Sequence, residues 1–153
     1  MGMGLLWMRM CPAAPMVTDP VPSGSIDAAA VAAAHDRIRP HVVRTPLLQL
    51  GDSGVVLKAE SLQPSGAFKL RGAYNSMLVL DPDQRARGVV AHSSGNHAIA
   101  VAHAGRALGI GVVVVMPSDA PSAKIDRTRD LGAHVELVAP DSAARSARAS
   151  ELV

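Results

Sequence analysis

A single cysteine, Cys11, stands in the 153-residue chain. No internal disulfide can form, so a stapled extracellular scaffold is excluded. Aromatic residues make up only 2%, which leaves no stacking platform for single-stranded nucleic acid. Lysine is also scarce. The 15 basic residues are 12 arginines and the three lysines Lys58, Lys69 and Lys124, scattered without a basic block. With a net charge of only +2, a folded nucleic-acid-binding module is not expected. No stretch approaches the roughly 18 apolar residues of a membrane helix, so no membrane partner is expected either. His35, His41, His92, His97, His103 and His134 form no i,i+4 pair, and no metal site is expected. G-x-G-x-x-G and G-x-x-x-x-G-K-[ST] are both missing, so no dinucleotide or nucleotide fingerprint is present. What is there is 48% hydrophobic and 18% charged, enough apolar content for a core. The expectation is a small-molecule protein of the cytoplasm.

The first 25 residues differ in composition. Met1, Met3, Met8, Met10 and Met16 are five of the seven methionines, and Pro12, Pro15, Pro20 and Pro22 follow closely. The apolar run Leu5-Leu6-Trp7-Met8 is too short for a signal peptide, and Arg9 follows it rather than preceding it. Residues 1–25 are expected to be a disordered tail.

From there the pattern becomes regular. Ser25 is expected to cap a helix from Ile26 to about Ile38, with Asp27 in its first turn and Pro40 closing it. Thr45–Leu48 and Val55–Ala59 read as short strands across the turn Gly51-Asp52-Ser53-Gly54. That turn is similar to the run around a serine-protease nucleophile, but between two strands it is ordinary hairpin chemistry. Ser61–Gly66 reads as loop and Phe68–Leu78 as helix. Next come a strand at Val89–Ala91 and a helix at Asn96–Leu108 ended by Gly109. A strand at Val112–Met116 leads to a helix at Pro121–Leu131 with Gly132 just past its end. Val135–Val138 is a third strand, and Asp141 caps a last helix. This alternation predicts an α/β fold with a parallel sheet and helices on both faces.

Two segments carry chemistry. In the first, Ser61–Ala73, Lys69 falls in the first turn of a helix after a tight loop. The helix dipole and nearby Arg71 both favour a neutral amine there, the form a Schiff-base lysine offers to an aldehyde. Position alone favours a solvated surface lysine. In the second, Ala91-His92-Ser93-Ser94-Gly95-Asn96-His97, the chain leaves a parallel strand and enters a helix. Free N–H groups and hydroxyls converge there on one point suited to a carboxylate. A plain helix cap by Ser94 or Asn96 is the alternative.

Taken together, the run Leu57–Glu60 through Gly66-Ala67-Phe68-Lys69-Leu70-Arg71-Gly72-Ala73 closely resembles the cofactor-lysine motif of the threonine/serine dehydratase and serine racemase family. These are fold-type-II enzymes dependent on pyridoxal 5'-phosphate (PLP). Ser93-Ser94-Gly95-Asn96-His97 is similar to that family's substrate-carboxylate loop. Arg44-Thr45-Pro46-Leu47 and Val115-Met116-Pro117 with Ala120, Pro121 and Lys124 also match its pattern. The resemblance runs from about Ile26 to the end. It implies that Lys69 is the Schiff-base lysine and the base for the α-proton. It also implies that Phe68 packs on the cofactor ring, that Asn96 bonds the ring hydroxyl, and that Ser93, Gly95, Asn96 and His97 hold the substrate carboxylate. Ser94 becomes the opposite-face proton donor where racemisation occurs, and otherwise another carboxylate ligand.

The activity so implied is β-elimination of threonine or serine to a 2-oxo acid and ammonia, in a family whose full-length members are homo-oligomers. A serine racemase-like enzyme and a truncated, non-catalytic relative are the alternatives. The resemblance also implies a truncated two-domain architecture, with 26–79 beginning the large PLP domain and 80–153 forming most of the small substrate domain. The family's catalytic unit is roughly twice this length. Its glycine-rich phosphate loop is not among these residues, where no two of the 13 glycines are adjacent. The chain by itself is therefore expected to be inactive. One departure stands inside the motif, Ile99 where the family usually carries Gln.

Overall fold

The computed structural model describes residues 26–153. The expected tail at 1–25 lies outside the described residues.

The first helix, α1 (Ala28–Ile38), is capped by Asp27, whose carboxylate accepts from the Ala30 N–H at 2.7 Å. This corrects the expectation that Ser25 is the cap. The shorter helix leaves Asp27 in extended backbone, the conformation a capping side chain needs. Strands β1 (Leu47–Gln49) and β2 (Val56–Lys58) pair antiparallel, Leu48 opposite Leu57. A 3-10 turn at Glu60–Leu62 leads into the loop before α2 (Lys69–Leu78).

One element is absent from the sequence reading. Helix α3 (Pro82–Arg87) is a single polar turn and a half, held by a capping box in which Asp81 accepts from Gln84 N–H and the Gln84 side chain accepts from Asp81 N–H.

Beyond it, β3 (Val89–His92), α4 (Asn96–Leu108), β4 (Val112–Pro117), α5 (Ser122–Asp130), β5 (His134–Val138) and α6 (Ser142–Glu151) follow in the expected alternation. The three strands form one parallel sheet in the order β3-β4-β5, with Val90 opposite Val113 and Val114 opposite Val135. A strand order that advances in one direction places right-handed crossovers on one face. Accordingly α4 and α5 pack on each other, and α6 lies across all three strands from the other side.

Central strand β4 is buried almost throughout, with Val114, Val115 and Met116 fully covered, as expected of an apolar run between two helical layers. Leu70, Ala73, Tyr74 and Met77 recur along α2 at helical spacing and bury against Ala98, Val101 and Ala102 of α4. That contact joins the Lys69 segment to the sheet. Gly109, at φ +67°, ends α4 in the left-handed conformation that disfavours other residues.

Candidate active site at the junction of α2 and α4

Lys69 is the first residue of α2, and Phe68 is its N-cap. The loop before it turns at Gly66, whose φ of +79° lies in the left-handed region. Ser65 is buried and its hydroxyl donates to the Ala67 carbonyl at 3.2 Å. The loop is held from behind by a polar network. Buried Gln63 accepts from Val43 N–H at 3.0 Å and donates to Val43 O at 2.8 Å. Arg71 grips Glu60 through Nε and Nη2, both at 2.8 Å, and reaches Val43 O at 3.1 Å. Thr45 Oγ1 donates to Glu60 Oε1 at 2.6 Å. The Arg71 guanidinium, together with the Thr45 and Gln63 donors, outweighs the effect of burial and holds the Glu60 carboxyl down at about 2.

This arrangement alters one expectation. The positive charge of Arg71, invoked from sequence as acting on Lys69, is balanced by Glu60. The Lys69 amine itself rests 5.0 Å from the centre of the exposed Phe68 ring.

Facing Lys69 is the loop between β3 and α4. Ser93 N–H continues the sheet by donating to Val115 O at 3.0 Å, and Ser93 Oγ accepts from Gly95 N–H at 3.2 Å. Gly95 is the N-cap of α4 and supplies no side chain, so the first N–H groups of the helix receive no side-chain cap. Neither Ser94 nor Asn96 caps it, which removes the plain-cap alternative. Uncapped N–H groups at the positive end of a 13-residue helix suit a carboxylate. A β-carbon on Gly95 would come within 3.2 Å of Lys124 Nζ, so the α5 ammonium stands directly over this backbone. Ser94 and Asn96 are exposed; Ser93, Gly95 and His97 are half-buried.

His97 joins the two segments. Burial, then the charge of Lys69, then His92 push its imidazole below the ordinary histidine value, so it is neutral at neutral pH. Phe68, Lys69, His97 and the β3 residues Val89–Ala91 line one cleft of about 600 Å³ between α2, β3 and α4. That volume suits a small-molecule ligand.

Of the residues singled out from sequence, Phe68, Lys69 and His97 line this cleft, whereas Ser93, Ser94, Gly95 and Asn96 lie on the loop and helix start between Ala91 and His97, outside its lining. Ile99 is 6% exposed, and its backbone N–H donates to the Gly95 carbonyl at 3.3 Å. Sequence reasoning missed the Glu60, Gln63 and Thr45 scaffold. Its one signal was a set of polar residues flanking a Gly/Pro loop. No three His, Cys, Asp or Glu side chains among the described residues come together as a metal site, and no helix among them is long and apolar enough to cross a membrane.

A family model described as pyridoxal-phosphate dependent enzyme matches residues 38–153. The chain is 44% identical over 115 residues to a serine racemase of Arabidopsis thaliana, covering 71% of this chain and 35% of that protein. It is 53% identical over 83 residues to an L-threonine ammonia-lyase of Thermotoga maritima, covering 54% of this chain and 21% of that protein. The solved structure of maize serine racemase superposes with a TM-score of 0.80 at 36% identity, over 84% of this chain and 41% of that one. The chain thus spans less than half the length of these relatives. Its parallel sheet flanked by helices is that of the fold-type-II members. The chain belongs to the pyridoxal-phosphate-dependent enzyme family.

Proposed function

We propose that this chain carries the cofactor lysine and the substrate-carboxylate loop of an ammonia-lyase that converts threonine or serine to a 2-oxo acid and ammonia. The observation that carries the reading is that Lys69 at the start of α2 and His97 in the first turn of α4 line one cleft, with the uncapped α4 terminus one residue away from His97.

The residues present fit PLP. An amine stands at a helix start beside an aromatic ring, on a cleft large enough for a pyridine ring. In this reading Lys69 and Phe68 hold the cofactor from α2, and Asn96 bonds its ring hydroxyl from α4. Bound, PLP supplies an aldehyde for the amine and a ring that draws electron density from the substrate α-carbon. Lys69 Nζ takes the α-proton. Ser93, Gly95, Asn96 and neutral His97 hold the substrate carboxylate through N–H and hydroxyl donors, aided by the helix dipole. Residues 26–79 then belong to the large cofactor domain and 80–153 to the small substrate domain.

The exposed Ser94 hydroxyl on the same loop, with the named serine racemase relatives, favours a second reading. There Ser94 serves as the proton donor on the face opposite Lys69, and serine is racemised. Incubating the complete, PLP-loaded two-domain enzyme that carries this chain's residues with L-threonine and L-serine distinguishes the two. A 2-oxo acid and ammonia support the lyase, D-serine in excess of pyruvate supports the racemase, and neither product from either substrate overturns both.

A further inference from the structure

Two of the three lysines flank the loop that presents the reactive amine, and they are held very differently. Lys58, the last residue of β2, donates from Nζ to Thr45 O at 3.0 Å and stands 3.7 Å from Glu60 Oε1. Among the described residues Lys69 Nζ makes no hydrogen bond or ion pair, resting 5.0 Å from the Phe68 ring and within electrostatic reach of His97. The same Glu60 carboxylate receives both Arg71 hydrogen bonds at 2.8 Å, and Arg71 sits in the first turn of α2, two residues after Lys69. It also accepts from Thr45 at 2.6 Å and Gln63 at 3.3 Å. Glu60 and Arg71 are largely buried, with side chains 17% and 23% exposed, whereas Lys58 is 48% exposed. One carboxylate therefore anchors the turn that carries one lysine and occupies the other.

We propose that Glu60 is a positioning residue that selects Lys69 over Lys58 as the amine offered to an aldehyde. Attack on an aldehyde needs a free nitrogen lone pair. An ammonium that donates to a carbonyl and faces a carboxylate must first give up both. Glu60 acts through Arg71 and Lys58, not on the reacting atoms. The inference rests on the reading of Lys69 as the cofactor lysine.

The test is reaction of the chain with PLP followed by borohydride, with peptide mapping of label on Lys58, Lys69 and Lys124. In the unaltered chain Lys69 should be labelled about three- to tenfold above Lys58, the range set by one hydrogen bond and one partly exposed ion pair. Glu60→Gln should raise the Lys58-to-Lys69 ratio to near one while Lys124 label stays constant. A general loosening of the fold would raise Lys124 as well. Arg71→Lys, which keeps the charge but loses the fork, should lower Lys69 label and leave Lys58 protected. A second measurement needs no variant: raising the salt concentration screens the exposed Lys58–Glu60 pair more than the buried Arg71–Glu60 pair, so the ratio should climb with salt. An unchanged ratio in Glu60→Gln and across the salt series overturns the proposal while leaving Lys69 as the cofactor lysine. Absence of label on Lys69 in the unaltered chain overturns the underlying reading instead.

Discussion

Gly105 of α4 packs directly onto Val112 of β4: a β-carbon at position 105 would overlap Val112 Cγ2 and lie 2.9 Å from the Ile110 carbonyl oxygen. The carbonyl is backbone and cannot rotate away, so the helix and the sheet would have to separate. Gly105→Ala should therefore destabilise the fold by about 1–3 kcal/mol through overpacking, despite alanine's better helix propensity. Gly72→Ala on α2, where nothing lies within 4 Å, is the control and should be neutral or stabilising by up to about 1 kcal/mol. Urea unfolding of both variants measures the difference.

Glu60 should govern acid stability. Its folded-state value of about 2 lies below the ordinary 4.5, so its contribution is fully present above about pH 4.5 and fades as pH falls toward 2. Removing the charge should cost about 3 kcal/mol at neutral pH, in line with breaking a largely buried pair. Glu60→Gln is expected to flatten the acid limb of stability against pH; an unaltered limb would contradict the role.

Histidine protonation acts in a higher window. Burial lowers both His97 and His103, the latter also facing Arg127 and Arg106. The unfolded chain then binds more protons than the folded one below the ordinary histidine value of 6.5, and stability falls as pH drops from about 7 to 5. His103→Gln should reduce that slope, measured as unfolding free energy across the same range.

The two ends of α4 show how much the sequence makes legible. Gly95 and Gly109 bracket an Ala-rich amphipathic run, and the helix spans the expected Asn96–Leu108. Central strand β4 announces itself the same way, because a buried parallel strand admits little but aliphatic residues, whereas β5 carries His134 and Glu136 and is partly exposed. Local polar structure is harder. Helix α3 has no apolar face to reveal it and is held by polar bonds, its capping box and the Arg85 side chain donating to the Leu78 and Leu80 carbonyls at 3.0 Å. The Glu60–Arg71 pair joins residues 11 apart, and Gln63 reaches 20 residues back to Val43. Such bonds obey no periodicity, so the bracing role of Thr45, Glu60 and Gln63 behind the loop was not legible, although Thr45 and Glu60 stand in runs that match the family pattern.

Asn96 and His97 should separate cofactor from substrate in the loaded enzyme. Asn96→Ala is expected to change the absorbance spectrum of bound PLP, since the bond proposed for Asn96 is to the ring hydroxyl. His97→Ala should leave that spectrum near its original form and raise KM, because the role proposed for His97 is in holding the carboxylate. Identical spectra for Asn96→Ala and the unaltered enzyme would contradict the assignment.

Peptide mapping after PLP binding and borohydride reduction in the loaded enzyme addresses the central claim directly, that Lys69 is the residue of this chain that holds the cofactor. Most of the fixed cofactor should be recovered on the peptide containing Lys69, and total fixation should fall several-fold in Lys69→Ala. Cofactor recovered chiefly on Lys58 or Lys124, or undiminished in Lys69→Ala, would contradict it.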